Sequence, residues 1–147
     1  MKTIRLILFL IALVGIFSAT HAAETVRFQG LLISASNDKG RTDGRLASYE
    51  PTLKSILRFE SYHFLGEDST SLTVRESGHL SIGEEHQLEV TAESADAKAI
   101  HVRVRWTQGG RNLISSVLVL RPGVPAVLGG PSTGKKGEVY AVILIGK

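Results

Sequence analysis

The chain has 147 residues, 17 basic and 14 acidic side chains and no cysteine. Without cysteine it must hold itself together by packing, which excludes a disulfide-stapled scaffold and any thiol nucleophile. Its 21% charged residues rule out a disordered polyelectrolyte and point to a globular protein.

The first stretch, MKTIRLILFLIALVGIFSATHA, carries Lys2 and Arg5 ahead of an apolar run from Leu6 to Phe17. Thr20 and Ala22 stand at the −3 and −1 positions of a signal-peptidase site. The pattern predicts a secretory signal peptide over 1–22, with a cut after Ala23 as the next choice. Twelve apolar residues are too few to cross a membrane core of about 30 Å, which needs roughly 20. The cleaved protein is therefore expected not to span a membrane. No cysteine follows the cut, so a lipid anchor is not expected either. Removing 22 residues from 147 leaves 125, expected to form a single β-rich domain over 23–147. Export of a cysteine-free domain suits a bacterial periplasm or the cell exterior. Lys2 and Arg5 leave with the signal, so the basic count falls from 17 to 15 against 14 acids. A chain so close to neutral gives no charge argument for nucleic acid.

Period-two alternation dominates residues 23–147. It predicts strands over 25–35, 60–65, 70–75, 79–82, 87–94, 99–107, 112–120 and 138–146, with a short ninth through PAVLG. AIHVRVRW is the clearest, with Ile100, Val102, Val104 and Trp106 on one face and His101, Arg103 and Arg105 on the other. LISSVLVL (113–120) and VYAVILI (139–145) are rich enough in apolar residues to predict burial on both faces. Gly109 and Gly110 predict a tight hairpin that would place Trp106 opposite Leu113. One segment differs. RLASYEPTLKSILRF spaces Leu46, Tyr49, Leu53, Ile56 and Leu57 by threes and fours, which predicts a helix from about Glu50 to Arg58 with Pro51 in its first turn. Its apolar face is expected to cover strand 112–120 or the C-terminal strand. Short, regularly spaced strands with one helix predict a mainly β fold, an antiparallel sandwich or open barrel.

GGPSTGKKGE (129–138) comes close to a phosphate-binding loop. Lys136 stands where Ser or Thr would hold magnesium, Pro131 removes a backbone donor, and a strand rather than a helix comes after it. The segment is expected to be a turn between the last two strands, binding no nucleotide. His63, His79, His86 and His101 lack metal-ligand spacing, and the Asn37, Asp38, Asp43 loop has Lys39 and Arg41 where calcium would need oxygens. No serine stands in a nucleophile motif. Catalytic, cofactor and metal residues are therefore all expected to be absent. The charge layout is more specific. No acidic residue occurs from Ala97 to Gly137, directly after the acids Glu84, Glu85, Glu89, Glu93 and Asp96. A hairpin around Asp96 would pair Glu89 with Arg103 or Arg105 and bring Glu93 near His101. Arg111, Arg121, Lys135 and Lys136 would be left to contact an anionic partner.

LRFESYHFLGE, LVLRPGVPAVLGGP and GEVYAVILIGK, together with NDKGRTDGRLASYEPTLKSIL, resemble a group of small exported bacterial proteins with no activity attached. The resemblance implies one exported domain and no functional residue. The expected function is a non-enzymatic envelope or extracellular module for adhesion, assembly or scaffolding, contacting an anionic polymer or a protein. The alternative is a small hydrolase acting on an envelope polymer, which a convergence of histidine with serine or carboxylate in a cleft would favour.

Overall fold

The computed structural model describes residues 24–147, so the expected signal peptide over 1–22 lies outside the described residues. Eight strands form: β1 (Thr25–Ser36), β2 (Ser61–Thr73), β3 (Ser77–Gly83), β4 (His86–Ala95), β5 (Ile100–Gln108), β6 (Arg111–Leu120), β7 (Ala126–Ser132) and β8 (Glu138–Gly146). One α-helix, α1 (Glu50–Leu57), lies between β1 and β2, preceded by a 3-10 turn over Gly44–Leu46. The stretches expected at 60–65 and 70–75 are one strand, bent by a bulge where Leu32 and Ile33 of β1 pair with Gly66 and Phe64. PAVLG does contribute a strand, β7.

The strands pair antiparallel in two four-stranded sheets, β2-β1-β8-β7 and β3-β4-β5-β6. This is a meander whose last strand returns beside its first, opened at two seams. At the β2/β3 seam the backbones touch. A Cβ at Gly66 would collide with the Ile82 carbonyl oxygen, and Asp68 Oδ2 accepts the Ser81 N–H at 3.0 Å. The β6/β7 seam has no ladder.

Phe28, Leu32, Leu80, Leu88, Val102, Val104, Trp106 and Val142 fill the space between the sheets. A second core lies on the outer face of the first sheet, where Leu46 and Leu53 cover Leu31, Ile33, Ala141 and Ile143, with Tyr62 beside Ala35 on the same face. That cover explains why β1 and β8 are apolar on both faces. Pro51 sits in the first turn of α1, and Arg58 ends the helix with a left-handed φ of 56°. Leu53 is its one fully buried side chain, whereas Ile56 is exposed at the rim. Burial on both faces fails for β6. Ile114, Leu118 and Leu120 face the core, but Val117 and Val119 are 57% and 62% exposed. The helix covers the other sheet, so among the described residues nothing covers this one.

Two bulges set the pairings along β5. One between Ala92 and Ser94 bulges out Glu93, which pairs with Arg103 at 3.0 Å, while its neighbour Ser94 stands opposite His101. Glu89 pairs with Arg105 at 2.6 Å as one of the expected options. The other, between Trp106 and Thr107, sets Trp106 opposite Ile114 rather than Leu113.

Candidate functional site

At one end of the molecule the inner face of the first sheet changes from apolar to polar. Leu32 and Val142 pair on adjacent strands and are fully buried. Two residues further on, Ser34 pairs with His63 on β2 and with Tyr140 on β8. Directly opposed residues of antiparallel strands share a face, so these three form a row. A next row places Ser36 between Ser61 and Glu138. Two hairpin loops flank the rows. Gly83–His86 joins β3 to β4, and Thr133–Gly137 joins β7 to β8.

Together they enclose a cleft of about 350 Å³, lined by Ser34, His63, Leu65, Glu84, Thr133, Lys135, Glu138 and Tyr140. Behind Tyr140 lie two buried rings, tilted against one another. The Tyr140 ring lies 4.4 Å from that of His86, and His86 accepts the Trp106 indole N–H on Nδ1 at 2.8 Å. Because Nδ1 is an acceptor, the imidazole is neutral with its proton on Nε2. Burial lowers the His86 pKa, outweighing the opposing influence of Glu84. The Tyr140 hydroxyl donates to Glu84 Oε2 at 3.0 Å. Burial and then this carboxylate raise the tyrosine pKa, which keeps the hydroxyl protonated. Across the cleft the Thr133 hydroxyl donates to Glu138 Oε1 at 2.9 Å.

The loop that presents Glu84 is strained. Glu84 and Glu85 both have positive φ, 49° and 63°, in a two-residue hairpin loop that favours Asn-Gly. A left-handed conformation costs a non-glycine residue roughly 1–2 kcal/mol. The Gly109 N–H donates to the Glu85 carbonyl at 3.0 Å, tying this hairpin to the β5–β6 turn. In that turn Gly109 and Gly110 supply the positive φ values of 55° and 82°.

The four basic residues singled out by sequence do not form one patch. Lys135 lines the cleft, with Lys136 beside it in the same exposed loop. Arg111 starts β6 at that end. Arg121 lies just past the far end of the strand, ten steps away, or roughly 33 Å in extended chain. That is several times the Debye length of about 8 Å at physiological salt. All four are exposed, and among the described residues none forms an ion pair. Arg103 and Arg105, in contrast, are held by Glu93 and Glu89. GGPSTGKKGE is the end of β7, a hairpin loop and the start of β8, so no helix N-terminus faces it. Among the other histidines, His79 contacts Glu89 on the outer sheet face at 3.3 Å, while His101 is exposed on that face.

Between Arg111 and Arg121 runs a sheet edge that approaches β7 across the seam without a ladder. Among the described residues β6 pairs only with β5, and it has neither proline nor charge from Asn112 to Leu120. The other edges are blunted, since β7 carries Pro131, β2 carries Glu67 and Asp68, and β3 lies against β2. The sequence pattern did not reveal the cleft because its residues come from five separate segments. The visible signal was polar residues at i and i+2 near strand ends: Ser34 and Ser36, Ser61 and His63, Glu138 and Tyr140.

No protein-family profile, curated protein or solved structure matches this chain.

Proposed function

We propose that the protein is an exported, non-enzymatic module of the bacterial envelope that joins an assembly by accepting a partner's extended segment along β6. The observation that carries this reading is the β6 edge itself. It is ten residues long, unpaired and uncharged between its ends, with Val117 and Val119 exposed on its outer face. Unpaired strand edges recruit further strands, with backbone hydrogen bonds giving affinity and alternate side chains giving specificity. Arg111 and Arg121 frame the edge, and no acid occurs from Ala97 to Gly137. A complementary strand is therefore apolar on alternate residues and acidic at its ends.

The test uses a ten-residue peptide alternating valine and threonine, with aspartate at both ends. It should bind at low salt and shift backbone amide signals of residues 112–120. Arg111→Ala combined with Arg121→Ala should weaken it at least tenfold, and Val117→Lys with Val119→Lys should do the same. A peptide that fails to bind, or that binds both double variants equally well, overturns the reading. Export is checked separately, by N-terminal sequencing from the native host, which should begin at Ala23 or Glu24.

One observation favours the hydrolase alternative, namely that Ser34, His63, Glu84 and Glu138 meet in one cleft. No hydrogen bond joins Ser34 to His63 among the described residues, so the nucleophile–base pair such an enzyme needs is unassembled. Polysaccharide turnover abolished by Ser34→Ala would establish the alternative.

A further inference from the structure

We infer that the cleft beside Tyr140 is a binding site for a neutral polyhydroxyl ligand, of the size of one or two sugar rings. The inference rests on the polar cleft and is independent of the β6 edge.

The volume of about 350 Å³ falls within the roughly 300–1,000 Å³ typical of small-molecule sites. The lining sets the chemistry. Leu65 is its one aliphatic residue, so an apolar ligand would strand polar groups without partners. Glu84 and Glu138 oppose an anion, and Lys135 beside them weakens the attraction for a cation. What remains is a neutral ligand that donates and accepts at many points, which is the property of neighbouring hydroxyls. The polar groups are set in advance for it. Tyr140 and Thr133 each hold one oxygen of a carboxylate. The second oxygen of each is left free to accept, whereas the Thr133 hydroxyl already accepts the Lys135 backbone N–H at 3.3 Å and the Tyr140 hydroxyl is met by the Gln108 side chain, so the carboxylates are the main acceptors for ligand O–H groups. Lys135 supplies a donor. The Tyr140 ring is clamped on His86, so its hydroxyl position costs little ordering on binding. The strained Glu84–Glu85 turn brings one of these carboxylates to the ligand, and such strain is found where function over-determines it.

The test is nuclear magnetic resonance titration of the purified mature chain with cellobiose, maltose and N,N′-diacetylchitobiose. Spermidine and ATP serve as cation and anion controls. At least one disaccharide should shift amides around Ser34, His63, Glu84, Lys135 and Tyr140 while leaving residues 112–120 unmoved. Tyr140→Phe, which keeps the ring, and Glu138→Gln, which keeps the shape, should each weaken binding at least tenfold. Their unperturbed spectra elsewhere would show that they fold. The assignment is overturned if no disaccharide moves these amides, if only spermidine or ATP does, or if both variants bind as the wild type does. Cleavage of a bound disaccharide would support the site while overturning the non-enzymatic reading. A silent cleft with a β6 edge that still takes its peptide would overturn this assignment alone.

Discussion

Trp106→Phe removes one buried hydrogen bond together with the outer part of the indole ring. Trp106 is the chain's single tryptophan and is fully buried. Its ring lies against the backbone of Gly130, where a Cβ would collide with it. Its N–H is the sole partner of the His86 ring, since His86 Nε2 is buried without one among the described residues. Phenylalanine fills much of the same space but donates nothing, leaving His86 Nδ1 an unpaired buried acceptor. Stranding one such group costs about 1–3 kcal/mol. Trp106→Ala removes the packing as well, and large aromatic truncations alone cost about 3–5 kcal/mol. A domain with a total stability of about 5–15 kcal/mol should survive the first change and be close to unfolding in the second. Urea unfolding followed by far-UV circular dichroism reads both variants, neither of which retains tryptophan fluorescence. If Trp106→Phe costs less than about 0.5 kcal/mol, the indole N–H is not in a dry contact and the account of the rings behind Tyr140 is wrong.

The same imidazole predicts a pH dependence. Burial lowers its folded pKa from an unfolded value of about 6.5, so below that value the unfolded chain binds the proton first. Stability is then full above pH of about 6.5 and falls as pH drops through the lowered folded value. Urea midpoints should decline in this window for the wild type and less steeply for His86→Phe; parallel curves would exclude His86 as the cause. Glu85→Gly should raise stability by about 1 kcal/mol, because glycine adopts the positive φ without cost. A loss of stability in the same urea assay would mean that the Glu85 side chain contributes more than its backbone strain costs.

The strand and helix pattern was legible because each element carries its own period. Residues 100–106 alternate cleanly since one face meets the core and the other meets water. The helix announced itself by Leu53 and Leu57 at a spacing of four, with Pro51 where a first turn tolerates it. The pattern misled where a neighbour decides. Apolar residues on both faces of 113–120 and of 139–145 looked alike, yet α1 covers only the sheet that contains β8. Val117 and Val119 remain in water as a result. Leu113 was mispaired because a bulge changes register by one residue and leaves no mark in the alternation.

The candidate site divides in the same way. Composition and period determined a β fold without disulfides, the acid-free run after Asp96, and a turn within 129–138, though not that 129–132 belong to β7. These are local properties, set by single side chains and their immediate neighbours in the chain. Which cations stand together is not local. Arg111 and Arg121 sit at opposite ends of one strand, while Lys135 is carried into a cleft with His63, 72 positions earlier in the chain. That meeting depends on β8 returning to pair with β1, a contact between residues more than one hundred positions apart. It is set by the burial of two sheet faces at once, which no short window of sequence contains.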